Sequence, residues 1–164
     1  NPSGVLGPGC SLLSKYLVGP LAYTKFVQGL LFQANYFRDP KAVTHADYKT
    51  NSEIAQWNNE GDVVNATFKS NFESVEKYIM VKALQDTMVE PKDGEWWGAF
   101  DRSGQMQEMK ATDLYKEDSF GLQTVDKAGK VFFETTPGNH LQFTEQQLFG
   151  WVDKYLLDKE TVVV

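Results

Sequence analysis

The chain has 164 residues, of which 41% are hydrophobic and 23% are charged, and its formal net charge is −6 at a sequence pI of about 4.9. A complete domain of this length buries roughly 70% of its unfolded surface, which is enough to fold without disulfides or metals. The basic residues are scattered along the chain, which excludes a typical binder of nucleic-acid backbones. No apolar run approaches the ~20 residues that cross a bilayer.

The N-terminal part of the chain is predicted to be a loop followed by helices. Residues 1–20 are rich in Gly and Pro, which predicts a loop. From Leu21 to Phe37 the apolar residues recur at intervals of three and four, which is typical of a helix with one apolar face. The sequence Asp39-Pro40 ends this helix, and a polar segment with short helical turns is expected as far as Gly61.

Two segments have the composition and length of β-strands. Tyr78–Leu84 follows a predicted short helix at Asn71–Lys77 and is mostly apolar without strict alternation, which predicts a strand buried on both faces. Val131–Thr135 is the second predicted strand. Because a long crossover with helices separates the two, an α/β architecture is predicted. Two strands are too few for a stable parallel sheet, so the chain is expected to be half of a larger unit.

The last predicted helix has the clearest start signal. Thr144 and Gln147 have the spacing of a capping box. The residues after it form an apolar face at helical spacing: Leu148, Trp151, Val152, Tyr155 and Leu156.

An acid and a histidine follow the two predicted strands. Asp86 comes directly after the first strand, and His140 lies in the loop after the second. Reactive groups of open α/β sheets gather at the carboxyl ends of strands, and an acid before a histidine matches the α/β-hydrolase order Ser…Asp…His. Asp86 would then orient the imidazole of His140 as a general base. The alternative is that Asp86 is a turn or cap residue and His140 an ordinary loop residue. His45 lies in a polar stretch and is predicted to be a surface residue.

The nucleophile of such a triad is missing from the chain. No G-x-S-x-G motif occurs in the 164 residues. In this fold the serine precedes the acid, so the serine and the oxyanion-hole donors are expected upstream of Asn1. Because loss of a triad serine costs on the order of 10⁶ in turnover, the chain alone is expected to be inactive.

Motifs for metals and phosphate-bearing cofactors do not occur in this sequence. There is no CxxC, H-E-x-x-H or EF-hand loop, and no glycine-rich phosphate loop. We therefore predict no metal site and no cofactor.

Two residues bear on the cellular compartment. Cys10 is the only cysteine, so it cannot form a bridge within the chain. In an extracytoplasmic protein it would pair with another polypeptide or remain a free thiol, and the alternative is a buried thiol that acts as a small apolar residue. Asn65-Ala66-Thr67 is a sequon for N-glycosylation.

Several segments, taken in order, resemble the palmitoyl-protein thioesterase family. They are residues 31–40 (LFQANYFRDP), 65–72 (NATFKSNF), 81–91 (VKALQDTMVEP), 95–98 (EWWG), 114–118 (LYKED) with Gly121-Leu122, and 137–142 (PGNHLQ). They occur in the family's order and cover nearly the whole chain from Gly4 onward.

The resemblance implies both a fold and an activity. The fold would be the C-terminal portion of one α/β-hydrolase domain, with a loop at 1–20, an inserted region of lid-like helices at 21–77, and the last strands and helices at 78–164. Asp86 and His140 would be the triad acid and base of an enzyme that removes long fatty acyl groups from cysteine thioesters. Such an enzyme would be a lysosomal or secreted glycoprotein.

The resemblance also implies a partner polypeptide and a groove that binds the acyl chain. An N-terminal polypeptide of the same precursor would carry the nucleophilic serine. Asn65 matches a family glycosylation position. Cys10 departs from the family pattern, because the family's nearby cysteine partner is absent here, which leaves an interchain disulfide open. Candidates to line an apolar acyl groove are Leu31, Ala34, Phe37, Met88 and Val89; the alternative is that each is ordinary core packing. A long acyl chain needs a long apolar groove, because each CH₂ buried on binding contributes ~0.8 kcal/mol.

Two other functions are compatible with these residues. One is a non-catalytic lipid-binding or storage protein that keeps the hydrolase scaffold, since fold does not dictate function. The other is a lipase or esterase that acts on oxygen esters, since the triad chemistry does not depend on the leaving group.

Overall fold

The computed structural model describes residues 21–157, so the predicted loop at 1–20 and Cys10 lie outside the described residues. The described part has mixed α/β structure with two small sheets. Its helices are α1 (Lys25–Leu30), α2 (Ala46–Asn51), α3 (Glu53–Trp57), α4 (Ala66–Ser74), α5 (Asp113–Glu117), α6 (Leu122–Lys127) and α7 (Glu145–Tyr155). Its strands are β1 (Tyr78–Ala83), β2 (Ala99–Phe100), β3 (Met106–Gln107) and β4 (Val131–Thr136). Within this part of the chain, no helix has the length and apolar character that crossing a membrane requires.

The two predicted strands form one parallel sheet. β1 pairs with β4 in a register that joins Tyr78 to Val131 and Ala83 to Thr136, which confirms the parallel arrangement. The chain between them contains β2 and β3, which pair antiparallel, and the helices α5 and α6. β1 was expected to be buried on both faces, but its residues are half-buried apart from Ala83, which is 3% exposed.

The predicted continuous helix from Leu21 to Phe37 is wrong. The structure has a 3-10 turn at Leu21–Tyr23, the short helix α1 and a second 3-10 turn at Phe32–Tyr36. Leu31 between the last two has extended dihedral angles (φ −112°, ψ 103°), which ends α1. The side chain of Gln28 stabilises this broken path, because its Nε2 donates to the carbonyl oxygens of Ala22 and Ala34 at 2.5 and 3.1 Å. Side-chain hydrogen bonds within the segment thus override the helical periodicity.

Two other helices start at identifiable caps. α4 begins several residues before the predicted Asn71, because the side chain of Asn65 accepts hydrogen bonds from the N–H groups of Thr67 and Phe68. α7 begins at the predicted capping box, with the Thr144 hydroxyl bonded to the N–H of Gln147 and the Gln147 side chain bonded back to the N–H of Thr144. The capping-box prediction is confirmed.

The buried residues of the described part form two hydrophobic clusters. One lies under α5 and α6 and consists of Met109, Leu114, Tyr115, Phe120 and Leu122, with Phe72 and Trp97 packed against it. The other lies among the N-terminal helices and consists of Tyr23, Ala42, Tyr48 and Ala55, with Phe37, Val43 and Ile54 against it. Phe72 and Trp97 of the first cluster contact Tyr78 at the start of β1, and the loop after this strand carries part of the candidate site.

Candidate active site

The loops that follow β1 and β4 run side by side at one edge of the sheet. The N–H of Leu84 donates to the carbonyl of Thr136 at 2.9 Å, and the N–H of Gln85 donates to the carbonyl of Gly138 at 3.1 Å. Backbone hydrogen bonds therefore continue past the last paired residues of the strands. Because parallel strands end at the same edge of their sheet, these bonds hold the residues after both strands close together.

Asp86 and His140 meet at this edge. Oδ2 of Asp86 lies 2.7 Å from Nδ1 of His140. An ionised carboxylate can only accept, so Nδ1 carries the proton and donates it, which leaves Nε2 as the free base. The Asp86 side chain has no exposed surface (0%), whereas 29% of the His140 side chain is exposed. The carboxylate is therefore shielded from solvent, whereas part of the imidazole ring is exposed to it.

Backbone donors hold the other oxygen of Asp86. The N–H groups of Met88 and Val89 donate to Oδ1 at 2.6 and 2.8 Å. Burial by itself would raise the pKa of the Asp86 carboxyl, but the N–H group of Val89, the imidazole of His140 and the N–H group of Met88 outweigh burial and hold that pKa below its usual range. Asp86 therefore stays an anion that can orient an imidazole.

The histidine loop is tied to the acid loop by Asn139. Its Oδ1 accepts hydrogen bonds from the N–H of Thr87 at 3.0 Å and from the N–H of His140 at 2.7 Å. The loop turns tightly at Gly138, where an added Cβ would lie 2.6 Å from the Cβ of Gln142. Glycine is therefore required for this close approach. Asn139 and Gly138 were not singled out as site residues in the sequence, because their contribution depends on contacts between two distant loops.

A second carboxyl lies beside the Asp86–His140 pair. Oε1 of Glu95 is 4.0 Å from Nδ1 of His140, and Oε2 accepts the N–H of Ala83 at 2.8 Å. Burial raises the pKa of Glu95, and the neighbouring Asp86 adds to this, while the N–H of Ala83 and the nearby imidazole oppose it. Glu95 lies within the stretch EWWG, and no sequence pattern predicts a role for it, because a lone Glu in a turn carries no motif.

The hydrogen bonds within this site account for its geometry. Asp86, Glu95 and His140 are the group of potential cation ligands found among residues 21–157, with their ligand atoms within 4.8 Å of one another. Both oxygens of Asp86 already accept hydrogen bonds, and one oxygen of Glu95 accepts from the backbone. An acid, its histidine and a second carboxyl in this arrangement suit proton transfer at the partly exposed imidazole.

Comparison with known protein families bears directly on these residues. The family model described as Palmitoyl protein thioesterase matches residues 3–140, a range that includes Asp86 and ends at His140. The chain belongs to the palmitoyl-protein thioesterase family.

Named thioesterases align with most of the chain. Palmitoyl-protein thioesterase 1 of Caenorhabditis elegans is 40% identical over 137 residues, which cover 81% of this chain and 45% of that protein. Palmitoyl-protein thioesterase 3 of Dictyostelium discoideum is 29% identical over 126 residues, covering 76% of this chain and 43% of that protein. Lysosomal thioesterase PPT2-B of Xenopus laevis is 27% identical over 141 residues, covering 83% of this chain and 48% of that protein. The chain spans somewhat less than half the length of these relatives.

The five residues predicted to line an acyl groove lie in different environments. Ala34 is 8% exposed, and Phe37 stacks on Tyr23 at a centroid distance of 5.6 Å within the N-terminal hydrophobic cluster. Leu31 and Met88 are about half exposed, at 47% and 49%, and Val89 is partly buried beside Asp86. Their role in binding an acyl chain stays a prediction. A mostly apolar cleft of about 510 Å³ is lined instead by Pro40, Ile54, Pro91, Trp97, Phe100 and Leu114, among others.

The other residues singled out in the sequence lie away from the pair or beyond the described range. His45 is exposed at the start of α2, as predicted for a surface residue. Asn65 is exposed at the start of α4. Cys10 lies outside the described residues, so its pairing stays a prediction.

Proposed function

We propose that this chain is the C-terminal part of a serine thioesterase that removes long-chain fatty acyl groups, such as palmitoyl, from protein cysteines. One observation carries the proposal. In a chain of the palmitoyl-protein thioesterase family, a fully buried aspartate side chain lies 2.7 Å from Nδ1 of a histidine whose ring is partly exposed. Asp86 would be the triad acid and His140 the triad base.

The reaction follows from this arrangement. A serine hydroxyl attacks the thioester carbonyl while Nε2 of His140 accepts its proton. His140 then gives that proton to the departing cysteine sulfur, and the acyl group remains on the serine. Water attacks the acyl-enzyme as His140 takes its proton, and the fatty acid leaves as the proton returns to the serine. Asp86 holds the imidazole in one tautomer and stabilises its charged form.

The nucleophile would come from an upstream polypeptide of the same precursor. The 164 residues contain no G-x-S-x-G, and the chain spans less than half of its named relatives. Both facts support a serine that precedes Asn1, on an upstream segment or on a partner chain. In the whole α/β-hydrolase domain, residues 21–77 would be the inserted lid-like region and residues 78–164 the last strands and helices.

The acyl chain would lie along apolar side chains near the pair. Met88 and Val89 are adjacent to the acid, since their N–H groups bond to Asp86. Leu31, Ala34 and Phe37 would continue the wall from the inserted region. The partial exposure of Leu31, Met88 and Val89 supports this proposal, because a wall for a lipid chain must be apolar and accessible.

The compartment would be the lysosome or the secretory route to it. The name of the Xenopus laevis relative describes it as lysosomal, and Asn65 lies in a sequon at an exposed helix start. An N-linked glycan on Asn65 and an interchain disulfide through Cys10 would suit such a compartment. No cofactor is needed for the proposed reaction.

Replacing Asn65 with serine is expected to remove a glycan without destabilising α4. Serine caps helices about as well as asparagine, so the N–H groups of Thr67 and Phe68 keep an acceptor. Asn65→Ala should remove both the glycan and the cap, and lower the free energy of unfolding by about 1 kcal/mol relative to Asn65→Ser. Gel mobility before and after endoglycosidase treatment, with thermal unfolding, measures both effects. A wild-type protein from a secretory host whose mobility endoglycosidase leaves unchanged would contradict the glycan.

The proposed function is tested with the protein that includes its upstream half. We expect hydrolysis of a palmitoyl-cysteine peptide, and covalent labelling by a serine-directed fluorophosphonate on a residue that precedes Asn1. The matched palmitoyl ester of a serine peptide should be hydrolysed more slowly. Preferential hydrolysis of the oxygen ester would indicate a lipase or esterase instead. Bound fatty acid with neither hydrolysis nor labelling would indicate a lipid-binding protein.

A further inference from the structure

The 3-10 turn at Lys92–Trp96 is docked firmly on the sheet below the pair. Nε1 of Trp96 lies within hydrogen-bonding distance of the carbonyl oxygens of Met80 and Glu134, at 3.0 and 3.2 Å. Nζ of Lys82 forms an ion pair with Asp93 at 2.8 Å and lies 3.9 Å from the centroid of the Trp96 ring. Residues on both sides of Glu95 are therefore anchored, which fixes where the Glu95 side chain can reach.

Glu95 extends from this turn into the space beside Asp86 and His140. Its Oε2 accepts the N–H of Ala83, the last residue of β1, at 2.8 Å. Its Oε1 lies 4.0 Å from Nδ1 of His140, and its side chain is only 15% exposed. The carboxyl thus contacts both the end of the strand that carries Asp86 and the imidazole itself. A residue needed only to cap the strand would not have to approach the histidine.

The two carboxyls at this site differ in their proton affinity. The pKa of Asp86 is held low, and the pKa of Glu95 is raised, chiefly by burial and then by the neighbouring Asp86. A Glu95 carboxyl that carries a proton can donate a hydrogen bond to Asp86, which relieves the repulsion between the two acids. Glutamine has the same shape, with an acceptor for Ala83 and a donor for Asp86.

We propose that Glu95 is a positioning residue that braces the Asp86–His140 pair on the Nδ1 side of the imidazole, away from the Nε2 that would serve the serine. The inference rests on the proposed thioesterase function and deepens it. Asp86 sits three residues beyond the end of β1, and His140 sits four residues beyond the end of β4, so both are on loops. Glu95 connects the end of β1, through the N–H of Ala83, to the imidazole of His140 and limits the movement of that ring. Misplacement of a catalytic group by about 1 Å can cost 10²-fold in rate.

Glu95→Ala and Glu95→Gln, made in the protein that includes its upstream half, test this proposal. Glu95→Ala is expected to lower kcat by about 10- to 100-fold with KM within about twofold of wild type. Glu95→Gln should restore kcat to within about threefold of wild type, since it keeps the shape of the side chain and the acceptor for the N–H of Ala83. The matched control is Glu90→Gln, which removes an exposed carboxyl just before the turn that carries Glu95 and should leave kcat unchanged. Rates are divided by the fraction of enzyme that a fluorophosphonate labels, so that misfolded protein does not count.

The outcomes separate this inference from the proposed function. A wild-type enzyme that hydrolyses thioesters, with Glu95→Ala within twofold of it in kcat, overturns the inference and leaves the function intact. Glu95→Gln as slow as Glu95→Ala overturns bracing, because the effect would then come from the charge. A Glu95→Ala enzyme whose KM rises by as large a factor as its kcat falls also overturns the inference. A wild-type enzyme that does not hydrolyse thioesters contradicts the proposed function.

Discussion

Replacing His140 with alanine is expected to lower the turnover of a palmitoyl thioester by about 10⁶-fold, close to the loss from removing a whole triad. Nε2 of His140 is the group that accepts the serine proton, returns it to the leaving sulfur and then activates water. The ring is partly exposed on one side and hydrogen bonded to Asp86 on the other, which suits this role. Labelling by fluorophosphonate should fall with turnover, since the serine is no longer activated.

His45→Ala is the matched control for this variant. His45 is exposed at the start of α2, and no side-chain cap bond is found for it there. The His45→Ala variant should therefore keep turnover within about twofold of wild type, because surface substitutions away from functional features usually have small effects. Thermal unfolding of the two variants shows whether the fold is kept. A His140→Ala enzyme that retains more than a hundredth of wild-type turnover would contradict the assignment of the base.

Replacing Asp86 with asparagine is expected to lower turnover by about 10⁴-fold. The side-chain oxygen of the introduced asparagine can still accept the N–H groups of Met88 and Val89, so the loop keeps its shape. The amide nitrogen then faces Nδ1 and donates to it, which forces the ring proton onto Nε2. The wrong tautomer cannot accept the serine proton. The measurement is kcat for the thioester, with thermal unfolding to compare the stability of the two proteins.

The stability that wild type gains over the Asp86→Asn variant from this carboxylate should also depend on pH. Because the folded pKa of Asp86 is depressed, its contribution to stability is present above its unfolded pKa of about 3.9 and is lost as the pH falls through the lower folded value. The difference in Tm between wild type and variant should therefore persist at pH 5 and shrink below about pH 4. An Asp86→Asn enzyme that hydrolyses thioesters at the wild-type rate would contradict the assignment of Asp86 as the triad acid.

Side-chain hydrogen bonds within residues 21–37 explain why this segment is not one helix. The periodicity of residues 21–37 predicted one helix, but Gln28 bonds to two carbonyls of neighbouring turns and Leu31 is extended. Phe26 and Leu30, on the expected apolar face, are 75% and 65% exposed within the described residues. Periodicity reports which residues could share a face, and it does not report whether a partner surface meets that face.

Short sequence patterns predicted several structural elements of this protein. The two strands, their parallel pairing and the capping box of α7 follow from residue patterns within short windows. The order of an acid and a histidine, each just after a strand, also made Asp86 and His140 candidates, because parallel strands bring their ends to one edge. Only the tertiary structure decided that the two side chains, 54 residues apart in the chain, meet at 2.7 Å and that Glu95 and Asn139 support them. Those contacts join loops that are distant in sequence, and their geometry depends on packing that no local pattern encodes.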